Sequence, residues 1–248
     1  MNEILLWILG FTLLNGIVAF AGAFTLALKP KTLKKIIFIL VALSTGTLLG
    51  GGLLHLLPEA IEGLGVETAI NYLLLGFIIF FLMEKLLHWH HCHNGGCKIH
   101  TFSHMILFGD ALHNFIDGLI IAASFFVSIP FGIITTLVII AHEIPQELGD
   151  FGVLIHGGFS KSKALFYNFI SQLTAVLGGI VGYFFVQSSG LETLLLPFAA
   201  GGFIYIAASD LIPELHKEEN TKRILFSFLF FMIGIIFMFL LKHFIGGH

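Results

Sequence analysis

The sequence carries little charge. Asp, Glu, Lys and Arg make up only 11% of its 248 residues, whereas about 25% is typical of soluble domains. The formal net charge of −3, with no large basic region, argues against the surface that nucleic-acid binding needs. Two cysteines are too few for an extensive disulfide framework. An ordinary soluble domain, a nucleic-acid-binding protein and a disulfide-rich scaffold are therefore all poor descriptions of this chain.

Apolar residues are abundant instead: they make up 57% of the chain and give a mean hydropathy of +0.98. The apolar runs reach about 20 residues, the length that a helix needs to cross a bilayer. We predict an all-α integral membrane protein with one transmembrane domain over residues 1–248. Ala19-Phe20-Ala21 resembles a signal-peptide cleavage motif, but no basic residue precedes it, so we expect the first helix to be retained. The eight predicted transmembrane helices, or spans, are residues 3–27, 37–59, 67–90, 102–127, 130–157, 163–187, 192–215 and 223–245.

The basic residues predict how these spans are oriented. With eight spans, all but one of the 12 Lys and Arg side chains fall on one side of the membrane, and only Lys242 falls on the other. By the positive-inside rule the basic side is cytoplasmic, which places both termini outside. We expect the membrane to be the plasma (inner) membrane.

Spans 2 and 7 repeat a pattern. TGTLLGGGLLHLLPEA begins at Thr45 and AGGFIYIAASDLIPEL begins at Ala200, and aligning their Pro-Glu pairs places His55 over Asp210. Because these spans run in opposite directions, the match favours an inverted repeat of spans 1–3 and 6–8, and hence a 3+2+3 arrangement. The alternative is chance recurrence of small residues and a proline near helix ends.

Spans 4 and 5 carry ionisable residues in their middles. Each such residue costs roughly 2.5–3.5 kcal/mol at the centre of a spanning helix, so the set amounts to about 10 kcal/mol if charged and unpaired. A divalent cation in the bundle interior would offset this cost. The acidic residues concerned are Asp110, Asp117, Glu143, Glu147 and Asp150.

The helical spacing of these residues groups them on common faces. His113 and Asp117 are four residues apart, and His142 with Gln146 and Glu143 with Glu147 repeat that spacing. Imidazole with carboxylate suits Zn²⁺ and neighbouring first-row metals, and the donors suffice for one or two ions. An interhelical hydrogen-bond network with protonated acids is the alternative. The candidate metal ligands in these two spans are His113, Asn114, Asp117, His142, Glu143, Gln146 and Glu147.

Pro145 interrupts the fifth span. Proline has no N–H to donate to the carbonyl four residues earlier, here that of Ala141. In lipid that carbonyl needs another partner, such as a nearby polar group, water or a cation.

HNFIDG at His113 and HEIPQELGD at His142 resemble the signature segments of the ZIP (Zrt-, Irt-like) metal transporters, in particular the subgroup with HEIPHELGD in its fifth helix. The resemblance implies uptake of Zn²⁺ into the cytoplasm by alternating access, with Fe²⁺, Mn²⁺, Cd²⁺ and Co²⁺ as other candidate substrates. It also implies a homodimer and a binuclear site. Its first ion would be held by His113, Asp117, His142 and Glu147, and its second by Asn114 and Glu143 with Asp117 and Glu147 shared. This chain departs from the subgroup in having Gln146 in place of His and Ala141 where Cys is frequent.

Further polar residues lie near the ends of the other spans. We predict that Gln172 of span 6 adds a ligand, with interhelical hydrogen bonding as the alternative. Near the outer end of span 2 and the inner end of span 7, we predict entrance and exit sites for the metal, with ordinary polar helix ends as the alternative. Their residues are His55, Glu59, Asp210, Glu214 and His216.

The connection between spans 3 and 4, about residues 88–101, is rich in soft ligands on the predicted cytoplasmic side. It is expected either to contact metal or to be an inert linker. Its candidate ligands are His88, His90, His91, Cys92, His93 and Cys97.

Two functions of other classes compete with transport, although we expect no enzyme. His142-Glu143-x-x-Gln146 differs by one residue from the HExxH motif, which would indicate an intramembrane zinc metalloprotease. Gln in place of the second imidazole, and Pro145 within the turn, argue against it. A metal sensor that binds but does not transport is the other alternative.

Overall fold

The computed structural model describes residues 2–25, 29–89, 99–156, 158–189 and 192–245, and within these ranges it has helices but no strand. Eight of the helices found there are long and apolar enough to cross a membrane. Span 1 comprises Asn2–Gly16, the 3₁₀ turn Ile17–Phe20 and Ala21–Thr25; span 2, Pro30–Gly50, the π-helical Gly51–Leu56 and Leu57–Leu64; span 3, Val66–Trp89; span 4, Ile99–Val127; span 5, Ile129–His156; span 6, Lys161–Gln172 and Thr174–Ser189; span 7, Glu192–Ile206, the π-helical Ala207–Leu211 and Ile212–His216; and span 8, Thr221–Ile245.

Span 2 is longer than the sequence predicted. It begins at Pro30 rather than at residue 37, because proline at the first helical position lacks an N–H that would have no partner there. It ends at Gly65, whose φ of 78° lies in the left-handed region that glycine adopts without strain. Three of the lysines predicted to lie in the loop before it therefore extend the helix beyond the apolar segment.

Spans 4 and 5 lie in the interior of the bundle. The most apolar stretches of these two spans have the lowest mean hydropathy of the eight spans, 1.3 and 1.4. Even so, 61% and 56% of the residues in these stretches are buried. Span 8 has the highest mean hydropathy, 2.9, and only 17% of the residues in its most apolar stretch are buried. Spans 1, 3 and 8 are the least buried and present their apolar surface outward, whereas spans 2 and 7 are as buried as span 5.

Three pairs of spans approach each other through glycine. A Cβ on Gly118 of span 4 would lie 2.0 Å from the carbonyl oxygen of Ala175 in span 6, and one on Gly201 of span 7 would lie 2.0 Å from that of Leu73 in span 3. A Cβ on Gly46 of span 2 would lie 2.1 Å from a carbonyl oxygen of span 8. Any side chain at these positions would collide with the facing backbone, so glycine is required there. Close backbone contact at small residues is a common way for helices to associate in membranes.

Spans 2 and 7 share two local features. Each has a π-helical segment, and each such segment is followed by a proline in the first turn of the next helix, Pro58 or Pro213. Span 2 packs on span 8 and span 7 on span 3, which are equivalent pairs if spans 1–3 correspond to spans 6–8. The 3+2+3 grouping itself stays a prediction.

Candidate metal site

The candidate site lies where spans 4 and 5 pack side by side. One helical turn of span 4 supplies His113 and Asp117, and span 5 supplies His142 and Glu143, so that four side chains meet in the interior. All four are buried, and Glu143 has no exposed surface at all. The spacing of the sequence motifs predicted the pairing within span 4, because residues four apart lie on one helical face.

The ligand atoms of these four residues, the four-ligand cluster, all lie within 4.8 Å of one another. The two imidazole Nε2 atoms are 3.2 Å apart. Oε1 of Glu143 lies 3.3 Å and 3.4 Å from Nε2 of His113 and of His142, and Oδ2 of Asp117 lies 3.7 Å and 3.4 Å from the same two atoms. A regular tetrahedron with edges of about 3.4 Å has its centre about 2.1 Å from each corner, the usual length of Zn–N and Zn–O bonds.

A backbone hydrogen bond orients the His142 ring so that Nε2 faces the four-ligand cluster. Its Nδ1 lies 3.3 Å from the carbonyl oxygen of Val138. A carbonyl only accepts hydrogen bonds, so Nδ1 carries the proton and Nε2 is left free to bind a metal. The edges of two buried rings from neighbouring spans cover the imidazoles: Phe80 contacts His113 with ring centres 6.2 Å apart, and Phe203 contacts His142 at 5.7 Å.

A second group of acids, the three-carboxylate group, consists of Asp110, Glu143 and Glu147. Each offers one oxygen within 4.8 Å of the others, and all three residues are buried. Glu143 belongs to both groups and therefore bridges them. The four-ligand cluster mixes nitrogen and oxygen donors, whereas the three-carboxylate group offers oxygen alone, which suits a harder cation.

Amide side chains orient the three-carboxylate group. Asn114 Nδ2 and Gln146 Nε2 donate to Asp110 Oδ1 at 2.9 Å and 3.1 Å. From span 6, Asn168 Nδ2 donates to Glu147 Oε2 at 2.7 Å. Each carboxylate keeps its other oxygen free, because Asp110 Oδ2 and Glu147 Oε1 are buried without a hydrogen-bond partner.

Many buried polar atoms at the site have no hydrogen-bond partner. Both carboxylate oxygens of Asp117 and of Glu143 are among them, as is Oδ1 of Asn114. An unpaired carboxylate away from water is strongly unfavourable, and natural structures retain such groups when they bind a cation or take part in function. The donor set fits a divalent transition metal better than a hydrogen-bond network among protonated acids, because the groups nearest these oxygens are imidazole nitrogens that can bind a metal themselves.

The carbonyl that Pro145 leaves free has found a partner in span 2. The hydroxyl of Ser44 donates to the carbonyl oxygen of Ala141, one residue before His142. The sequence predicted the need for a partner, but nothing in it singled out Ser44. This hydrogen bond connects span 2 directly to the backbone of the site.

Comparison with known proteins agrees with this geometry. A family model described as ZIP Zinc transporter matches residues 90–242, more than half of the chain. Zinc transporter ZIP13 from Pongo abelii is 34% identical over 226 residues, which cover 83% of this chain and 67% of the relative. The chain belongs to the ZIP family.

Other relatives of this ZIP chain match over different lengths. Zinc transporter YKE4 from Saccharomyces cerevisiae is 30% identical over 81% of this chain and 67% of its own length. IAA-alanine resistance protein 1 from Arabidopsis thaliana is 40% identical over 49% of this chain and 26% of its own length. The ZIP chain therefore spans about two thirds of the length of ZIP13 and of YKE4, and about a quarter of the Arabidopsis protein.

The structure divides the predicted ligands of this ZIP site differently from the sequence. Glu143, not Glu147, joins the two histidines and Asp117, whereas Glu147 lies with Asp110. Glu143 and Glu147 are four residues apart on one helix face, so spacing alone could not say which lies nearer the imidazoles. Asp110 was not among the predicted ligands, although its position three residues before His113 was a usable signal.

The metalloprotease alternative receives no support. The family is one of transporters rather than enzymes. Gln146 occupies the position of the second histidine of HExxH. Its side-chain amide donates a hydrogen bond to Asp110.

Span 6 contributes two buried amides to the surroundings of the site. Asn168, which lies on the same face of span 6 as Gln172, donates a hydrogen bond to Glu147. Gln172, the predicted ligand, is fully buried, and neither its Nε2 nor its Oε1 has a hydrogen-bond partner. Its role as a ligand stays a prediction.

The predicted entrance and exit residues lie in different surroundings. His55 is buried, stacks on Phe131 with ring centres 4.0 Å apart, and has its Nε2 3.1 Å from Oγ1 of Thr135 in span 5. Glu59 is half-buried, whereas Asp210, Glu214 and His216 are exposed. Of the loop ligands, His90, His91, Cys92, His93 and Cys97 lie outside the described residues, and His88 lies in a described helix whose side chain there is not described.

Proposed function

We propose that this ZIP chain carries divalent transition metal across the membrane, with Zn²⁺ as its main substrate. The observation that carries the proposal is the four-ligand cluster, in which the two Nε2 atoms lie 3.2 to 3.7 Å from each other and from the carboxylate oxygens, a spacing that suits a four-coordinate ion. The relatives named zinc transporters support the choice of metal. Fe²⁺, Mn²⁺, Cd²⁺ and Co²⁺ accept mixed nitrogen and oxygen donors as well, and belong to the same proposal.

Glu143 makes the site suited to passing an ion on. Because it belongs to both the four-ligand cluster and the three-carboxylate group, an ion can exchange one set of partners for the other without losing this carboxylate. In the proposed mechanism, water is shed as the ion enters, and protein oxygens and imidazoles replace it. Binding of moderate affinity is required, since an ion held too tightly would not be released.

The proposed direction is from outside into the cytoplasm, by alternating access. The basic residues support cytoplasmic placement of the connections after the odd-numbered spans and outside placement of both termini. Inverted repeats are a recurrent basis for such transport, because one helical group rocks against another around a fixed site. The proposal includes the plasma membrane as the location and the paired polar residues of spans 2 and 7 as entrance and exit.

A homodimer is also part of the proposal. The family resemblance supports it, and the outward faces of spans 3 and 8 offer apolar surface for association within lipid. Multi-angle light scattering of the detergent-purified chain tests it: a monomer mass would contradict it.

Zinc flux into proteoliposomes tests the proposed function. Purified chain should accelerate zinc entry, and His113→Ala combined with Glu147→Ala should abolish that entry by removing one ligand from each group. Glu62→Gln, at an exposed position in the last turn of span 2, is the matched control and should transport normally. Flux that survives the double substitution would contradict the proposal, and zinc binding without flux would favour the sensor alternative.

A further inference from the structure

A cavity of about 700 Å³ opens between the N-terminal end of span 2 and the connection from span 7 to span 8. Its volume falls within the roughly 300–1,000 Å³ of sites that bind small ligands. It lies away from the metal site, at the membrane surface that the basic residues predict to be cytoplasmic. The charged residues of its lining are Lys31, Lys34, Lys35, Glu214, Glu218 and Arg223.

The three lysines present their charges together. They occupy positions i, i+3 and i+4 of span 2, so they project from one face of the helix. All three are exposed. In the part of the chain that the structure describes, none of them is paired with a carboxylate.

The two carboxylates of the lining already have partners. Lys217 forms an ion pair with Glu214. Arg223 Nη1 lies 3.1 Å from Oε2 of Glu218, and the backbone N–H of Asn220 donates to Oε1 of Glu218 at 3.0 Å. The Asn220 hydrogen bond and the Arg223 guanidinium lower the pKa of Glu218, which therefore stays ionised and paired. The positive charge of the three lysines is left uncompensated.

Below the charged rim the cavity walls are apolar. Phe38 and Val41 continue the face of span 2 that carries the lysines, and Phe226 faces them from span 8. Deeper in the membrane the two spans close on each other, where a Cβ on Gly46 would lie 2.1 Å from the carbonyl oxygen of Phe231. The cavity is thus a cleft with a cationic mouth at the membrane surface and an apolar interior at the depth of lipid chains.

We propose that this cleft binds an anionic phospholipid of the cytoplasmic leaflet, with its phosphate group at the lysines and an acyl chain along the apolar walls. Clusters of basic residues at this level attract anionic headgroups. Ammonium groups donate hydrogen bonds to phosphate oxygens, and the apolar walls suit a lipid but offer nothing to a free anion. No metal ion takes part, so the site is independent of the transport function.

Electron paramagnetic resonance of spin-labelled lipids tests the proposal on the full chain in phosphatidylcholine bilayers. Spin-labelled phosphatidylglycerol should be immobilised by the protein in preference to spin-labelled phosphatidylcholine. Replacing Lys31, Lys34 and Lys35 together by Gln should reduce that preference about 30-fold, and Lys34→Gln alone about threefold, since each basic residue near an anionic surface contributes a few-fold to binding and these factors multiply. The single variant provides the test if the triple variant does not elute as a folded species in gel filtration.

The matched control is Lys161→Gln with Lys163→Gln, which removes two exposed lysines from the same predicted side of the membrane. This control variant should keep the full preference for phosphatidylglycerol over phosphatidylcholine. An equal loss in the control would show general surface attraction and overturn the site. Unchanged preference in the lysine variants would overturn it too, as would displacement of the labelled lipid by soluble glycerol phosphate, which would identify a free phosphate site.

Discussion

Glu143→Gln is predicted to weaken zinc binding at both parts of the site. Oε1 of Glu143 lies 3.3 Å from Nε2 of His113 and 3.4 Å from Nε2 of His142, and the same residue completes the three-carboxylate group. Gln keeps the shape of the side chain and removes its negative charge. An amide is a poorer metal ligand than a carboxylate, and here it replaces a group that two ions would share.

The size of the effect follows from the number of ligands. Substituting residues that merely support metal ligands typically costs 10–100-fold in affinity, so loss of one of the four direct ligands should cost about 100-fold or more. A 100-fold loss corresponds to about 2.7 kcal/mol. The full burial of Glu143 leaves no room for water to replace the missing charge without rearrangement.

Titration calorimetry of zinc into the detergent-purified chain measures this change. Asp110→Asn should weaken only the three-carboxylate group, because Asp110 is not part of the four-ligand cluster. Glu62→Gln serves again as the exposed control. The reasoning is refuted if Glu143→Gln binds zinc as tightly as that control, or if Asp110→Asn lowers the affinity of both parts equally.

Three further predictions concern the surroundings of the site and its protonation. Ser44→Ala leaves the Ala141 carbonyl without its donor, so it should destabilise the protein by about 1–3 kcal/mol and lower its melting temperature in detergent, whereas Ser188→Ala at an exposed position should not. Gly118→Ala should melt lower still or fail to fold, since its Cβ would lie 2.0 Å from a carbonyl oxygen, while Gly10→Ala, with open space around it, should melt like the wild type; equal melting of the two would contradict the packing argument. Zinc uptake into proteoliposomes should fall severalfold between pH about 7.5 and about 5.5, because protons compete with metal for the imidazoles and carboxylates; uptake that rises on acidification would contradict this.

The sequence predicted the class of fold and the location of the site because both depend on local pattern. Apolar runs of spanning length give the helices, and spacing of four residues places His113 with Asp117. The cost of the carboxylates in spans 4 and 5 indicated an interior position for these groups, and Asp110, Asp117, Glu143 and Glu147 are indeed buried.

What the sequence could not predict depends on contacts between distant segments. The partners of the Ala141 carbonyl and of Glu147 are Ser44 of span 2 and Asn168 of span 6, and both choices depend on how the helices are rotated. The grouping of Glu143 with the two histidines could not be predicted either. Glu147 lies on the same helix face one turn away, so only the packing of spans 4 and 5 decides which of the two carboxylates is nearer. The lysine-lined cleft also needed the structure, because its two walls are separated by most of the chain.

Zinc K-edge X-ray absorption of the metal-loaded chain tests the central claim most directly. The account predicts a shell of about four nitrogen and oxygen ligands at about 2.0–2.1 Å with two imidazoles, and loss of one imidazole in His113→Ala or His142→Ala. A zinc shell without imidazole, or one that neither substitution alters, would contradict it.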